Sequence, residues 1–174
     1  MSLVISLVCS VVLIAVDQIT KWWASTNLAD GTVIPVIKDV FVFQYTENRG
    51  VGFSLLQNQR WLFIPISIVI MLAIAIMLLR SPLRRRPLFC TICVLLLSGA
   101  VGNLIDRICL GYVIDFLYFK LIDFPIFNFA DCCVVVGAIL LCAYILFGMK
   151  GAEDQHLRTL LFGIPVRHKE DDHG

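Results

Sequence analysis

Apolar residues fall into four long runs along the chain, at about 3–23, 61–79, 88–105 and 129–147, with more polar segments between them. Each run has roughly the 20 residues that an α-helix needs to cross the hydrocarbon layer of a bilayer. In lipid the backbone must satisfy its own hydrogen bonds, so such runs fold as helices rather than open strands. The pattern therefore predicts an all-α membrane protein with four transmembrane helices. The first run is interrupted by Asp17 and Lys21. It has no basic stretch before it and no small-residue cleavage box, so it reads as a retained helix and not as a signal peptide. Between the first two runs the pattern changes period. Residues 40–46 are rich in β-branched and aromatic side chains and predict a strand, with 32–37 as its partner. A small β-containing region is thus expected outside the helices. Trp22, Trp23 and Trp61 fall where an aromatic belt would lie.

Composition sharpens this picture. The 174 residues are 59% hydrophobic and 16% charged, against about half and a quarter in soluble domains. A chain of one-domain size has too little interior for that excess, and lipid accommodates it. Net charge is +1, so no basic face points to nucleic acid. The seven cysteines lie mostly in apolar runs and read as small hydrophobes. Cys90 and Cys93 are spaced as C-x-x-C but lack the second ligand pair of a zinc site, and no disulfide framework is expected. His156, His168 and His173 all fall in the polar tail 151–174. The membrane part, residues 1–150, therefore lacks the commonest general base, and no H-E-x-x-H is present. No metal site is expected.

Orientation follows from basic residues in short loops. Arg80, Arg84, Arg85 and Arg86 sit between the second and third runs, and Lys150, Arg158, Arg167 and Lys169 follow the fourth. These segments are read as cytoplasmic, with both termini. The loops at about 24–60 and 106–128 then face outward.

Ionisable groups near a membrane core need a reason to be there. Asp17 and Lys21 share a helix face and can pair; they form a structural ion pair or touch substrate or headgroup. Gly99, Asn103 and Arg107 recur every four residues, and Gly99 and Gly102 permit a close backbone approach. That stripe either packs or lines a site. Asp115 lies among apolar and aromatic neighbours, which favour its protonated form. Asn128 reads as an N-cap with Asp131 at the third helical position, where a carboxylate suits the helix dipole; cap and site are both open readings. Asn48, Arg49 and Gly50 suggest a turn that either closes a loop or presents polar groups to a ligand. Both acids flank the outer connection between the third and fourth runs and are read as lying at helix ends. Two carboxylates sharing a site do not both ionise easily. That arrangement suits general acid/base activation of water, with Asp131 ionised and Asp115 protonated. The competing readings are a Ser–Lys dyad of Lys21 with Ser54 or Ser98, a small transporter or proton channel, and a structural scaffold.

Taken together, Asp17-x-x-x-Lys21, Asn48-x-Gly50-x-x-Phe53, Gly99-x-x-Gly102-Asn103-x-x-Asp106-Arg107, Gly111-x-Val113-x-Asp115-Phe116 and Phe127-Asn128-x-Ala130-Asp131 resemble the five motifs of the lipoprotein signal peptidase (signal peptidase II) family. The resemblance covers about residues 10–135. Ser98 and Val51-Gly52 depart slightly from the family pattern. The resemblance implies an aspartic endopeptidase of the bacterial inner membrane, its active site near the outer face. It implies Asp115 and Asp131 as the catalytic pair, and Asn48, Gly50, Asn103, Arg107 and Asn128 lining the substrate groove. It implies that the enzyme cuts diacylglyceryl-modified prolipoproteins just before the lipidated cysteine, needs no metal or organic cofactor, and is inhibited by globomycin. Its implied partners are that substrate and membrane lipids, with no nucleic acid, and the enzyme is expected to act as a monomer.

Overall fold

The computed structural model describes residues 3–50, 60–80 and 86–148. Expectations for Val51, Gly52, Phe53 and Ser54, for Arg84 and Arg85, and for the tail with its histidines lie outside the described residues. In chain order the elements are α1 (Leu3–Asn27), β1 (Val33–Ile37), β2 (Phe41–Asn48), α2 (Arg60–Arg80), α3 (Pro87–Cys109), β3 (Val113–Tyr118), a 3-10 turn (Lys120–Ile122) and α4 (Phe129–Ala143), which runs on into a π turn (Tyr144–Gly148). Among the described residues, three helical stretches are long and apolar enough to cross a membrane: Leu3–Asn27, Pro87–Cys109 and Phe129–Phe147. The second predicted run does form a helix, α2, with Pro65 inside it.

The distribution of side chains on α1 is inverted relative to a soluble protein. Its buried residues are Ser6, Ser10, Asp17, Lys21 and Ala24, a small and polar stripe at helical spacing. Its exposed residues include Leu3, Val4, Leu7, Ile19 and Trp22. Water would penalise that arrangement and lipid favours it. α3 packs against α1, α2 and α4 and forms the centre of the bundle. Small residues bring the backbones together there. A Cβ on Gly99 would collide with the carbonyl oxygen of Ala130 and with Val134, and one on Gly102 would lie 2.5 Å from Oδ2 of Asp17. Toward the far end of the bundle, Leu78, Phe89, Cys90, Ile92, Cys93 and Tyr144 form an apolar cluster.

The three strands form one antiparallel sheet in the order β1-β2-β3. β1 and β2 match the expected pair. β3 corrects the reading of 106–128 as a loop and of Asp115 as lying at a helix end: Asp115 sits on a strand, opposite Thr46. α3 also continues four residues past the predicted boundary, to Cys109, which puts Asp106 and Arg107 on the helix. The sheet packs on the end of α1 through Ala24, Leu28, Ile114 and Phe116. Trp23 belongs to this packing. Its ring lies 5.6 Å from that of Phe43 and meets Phe116 edge-on, so of Trp22 and Trp23 only Trp22 is exposed as a belt residue would be.

Candidate active site

Asp115 and Asp131 arrive from different elements. β3 carries Asp115 into the interior, where it is 1% exposed. The first turn of α4 carries Asp131, which is half-buried. Asn128 joins them. As N-cap of α4 it accepts the Asp131 N–H on its side-chain oxygen, and its own backbone N–H donates to Oδ2 of Asp131 at 3.2 Å. Its side-chain Nδ2 donates to Oδ1 of Asp115 at 2.6 Å. The cap that the sequence suggests is present, and the same Asn128 side chain joins the two acids. The remaining carboxylate oxygens are also held: Asn48 Nδ2 donates to Oδ2 of Asp115 at 2.9 Å, and Asn103 Nδ2 donates to Oδ1 of Asp131 at 2.7 Å. Burial pushes the Asp115 carboxyl up to about 6, with the Asp131 charge adding to the rise, while the Asn48 and Asn128 hydrogen bonds and the Lys21 cation oppose it.

A second polar cluster lies beneath the first. Lys21 is 1% exposed, and its Nζ lies 2.9 Å from Asp17 Oδ2, 3.0 Å from Asp106 Oδ2 and 2.9 Å from Oδ1 of Asn103. An ammonium has three donors, and all three are used inside the protein. Asp17 Oδ1 accepts the N–H of Ala130 in the first turn of α4 at 2.9 Å. Gln18 Nε2 ties Asp17, Asp106 and the Gly102 carbonyl together, and Asp106 Oδ2 accepts from the Ile114 N–H of β3 at 3.1 Å. Through these contacts Asp17, Lys21 and Asp106 tie α1, α3, β3 and α4 to one another. A Ser–Lys dyad would need the Lys21 amine free to accept a serine proton, whereas its Nζ is enclosed by Asp17, Asp106 and Asn103.

Arg107 is half-buried and donates to the Asn103 carbonyl at 3.3 Å, close enough to Asp131 and Asp115 to feel both charges. Gly50 adopts φ 140°, and its N–H donates to Oδ1 of Asn48 at 3.1 Å. That bond orients the Asn48 amide, so Gly50 acts through Asn48. Arg49 pairs with Glu47 and lies over the Tyr112 ring. Sequence reasoning gave Asp106 no role beyond its place in a motif and passed over Gln18. The available signal was a carboxylate inside an apolar helix, which demands a partner.

Comparison with known proteins gives the site its context. Residues 9–147 match the family model described as signal peptidase (SPase) II. A lipoprotein signal peptidase of Clostridioides difficile is 46% identical over 138 residues, covering 79% of this chain and 91% of that protein. One of Symbiobacterium thermophilum is 42% identical over 143 residues, covering 81% and 93%. A bacterial membrane enzyme solved by the in meso method at 1.9 Å resolution superposes with a TM-score of 0.77 at 29% identity, covering 83% of this chain and 94% of that one.

Proposed function

This chain belongs to the signal peptidase II family, and on that footing we propose that it is an aspartic endopeptidase in which Asp115 and Asp131 activate water between them. Family membership makes it a membrane peptidase that removes signal peptides from prolipoproteins. The observation that carries the finer reading is the grip of Asn128 on both acids, one fully buried and the other half-open. Asp131, ionised, takes a proton from water as the oxygen attacks the peptide carbonyl carbon. Asp115, protonated, donates to the carbonyl oxygen. As the tetrahedral intermediate collapses and the C–N bond breaks, the proton held by Asp131 goes to the leaving amine, and one hydroxyl proton of the intermediate returns to Asp115. Asn48, Asn103 and Asn128 keep the carboxyls in place, and Arg107 faces the substrate.

The substrate in this reading is a prolipoprotein whose cysteine already carries a diacylglyceryl group, cut just before that cysteine. All four long helices span the bilayer, both termini are cytoplasmic, and the sheet and acids lie at the outer face. One pair per chain lets the enzyme work as a monomer. A gel-shift assay in detergent micelles tests this, comparing lipidated and unlipidated substrate with wild type, Asp115→Asn and Asp131→Asn. The expected result is cleavage of the lipidated form alone, falling by about 10²–10⁴ in each variant. Turnover surviving in either variant removes that acid from the mechanism.

A further inference from the structure

Lys21 is fully enclosed, and two of its contacts go to Asp17 and Asp106, at 2.9 and 3.0 Å. Two carboxylates already neutralise one ammonium, so charge balance leaves its third contact unexplained. That contact goes to a neutral group, Oδ1 of Asn103, at 2.9 Å. Asn103 is itself buried, and the other end of its amide, Nδ2, donates to Oδ1 of Asp131 at 2.7 Å. One amide therefore stands between a buried cation and an acid of the pair. We infer that Lys21 is a positioning residue for the reaction: it fixes the Asn103 amide in the one orientation that presents a donor to Asp131, and so holds that acid as a proton acceptor. The inference rests on the reading that Asp131 is the acid that takes the proton from water.

The two ends of an asparagine amide have nearly the same shape and differ in what they offer, an acceptor at one end and donors at the other. Asn103 Oδ1 meets Lys21 Nζ and, at 3.0 Å, Nδ2 of Asn128. Both bring hydrogen and neither accepts it. With the amide reversed, its NH2 group would face those two donors, and its oxygen would face the Asp131 carboxylate. Asn128 is fixed in turn, because its Oδ1 accepts the backbone N–H of Asp131 at 2.9 Å. Of the two groups on Asn103 Oδ1, the ammonium makes the stronger bond because it carries the charge. Burial raises the stakes, since a polar group that loses its partner in the interior is costly. Held this way, the Asn103 N–H meets a bare carboxylate oxygen, the form of Asp131 that can take a proton from water.

The pH–rate profile of the full-length enzyme in detergent micelles, with the lipidated prolipoprotein as substrate, tests this. Its acid limb reports the loss of turnover as Asp131 gains a proton. Asp115 on β3, Arg107 and Asp106 on α3 and Asp17 on α1 also carry charge around the first turn of α4. Asp115, Arg107 and Asp17 stay in every variant compared. Lys21→Met and Asn103→Leu should each move the acid limb up by about one pH unit. The double variant should move it no further than Asn103→Leu alone, because Lys21 acts through that amide. A merely structural Lys21 would lower Tm and the yield of active enzyme but leave the limb where wild type has it, and that result overturns the inference. A Lys21→Met shift that persists in full on top of Asn103→Leu means that the charge acts directly, and it overturns the inference as well. If Lys21→Met does not fold, the same comparison is made on Asp106→Asn, which removes a carboxylate otherwise left without its cation. Turnover surviving in Asp131→Asn would instead overturn the functional reading, so the two failures are distinguishable.

Discussion

Asn128 caps α4 and holds both acids, so its loss acts on stability and catalysis together. Asn128→Ala should cost about 1 kcal/mol as a lost cap, read as a small drop in Tm. Its effect on kcat should be far larger, about 10²-fold or more, because Asp115 and Asp131 lose their common anchor. A kcat loss no greater than the stability change would argue against the anchoring role. The Asp115 carboxyl sets the pH response. It titrates near 6 because burial favours its neutral form, and the proposed mechanism needs that proton. Cleavage should therefore fall as pH rises through about 6. Asn48 holds this carboxyl lower than burial alone would, so Asn48→Ala should move the alkaline limb of the pH–rate profile upward. A profile that stays put or moves down would exclude Asp115 as the acid. Stability carries the same sign. The folded state holds this proton more tightly than the unfolded chain, so the contribution is full below the ordinary carboxylate value of 3.8 and is lost as pH rises through about 6. Wild type should lose Tm over that window relative to Asp115→Asn.

At the scale of elements, the crossing of α3 with α1 and α4 depends on two missing side chains. Gly99→Ala places a methyl group against the Ala130 carbonyl, and Gly102→Ala places one against Asp17. Each should cost about 1–3 kcal/mol by overpacking, checked by thermal unfolding in detergent. Each should also lower activity more than an Ala substitution on the lipid-facing side of α1, since Ala130 precedes Asp131. Lys21→Met leaves Asp17 and Asp106 buried without their cation, at a cost of about 3–5 kcal/mol; unaltered unfolding would refute the cluster's structural role. The helices, β1 and β2 were legible because their periods are local. β3 was not. Its sequence, Val-Ile-Asp-Phe-Leu-Tyr, is buried over its first four residues, so it lacks the alternation that signals a half-exposed strand. It pairs with β2, about seventy residues earlier, and Asp115 looked like a lone acid because its partners Asn48 and Asn128 come from elsewhere in the chain.

Across the whole molecule, the motifs are more informative together than apart. The polar residues of five separate segments converge on two adjoining networks, and their distance along the chain reflects only the order of the elements. Asp106, though part of a motif, had no role in the sequence reading because its partners lie on α1, far away along the chain. Orientation can be checked on the intact chain. Cys109 is exposed at the end of α3 nearest the sheet. In spheroplasts, a membrane-impermeant maleimide added from outside should label it, and replacement of Cys109 by Ser should abolish that label. Labelling only after permeabilisation would invert the topology. The Lys21 cluster has a consequence for how the protein is made. α1 enters the membrane before α3 has been synthesised, and a lone Asp or Lys at mid-helix costs about 2.5–3.5 kcal/mol to insert. Their i,i+4 spacing lets Asp17 and Lys21 neutralise each other in transit. Asp106 has no such local cation on its own face and is completed only when α1 and α3 meet. The Asp106 carboxylate is thus matched by a cation only once α1 and α3 have docked, which ties the burial of that charge to the assembly of the bundle.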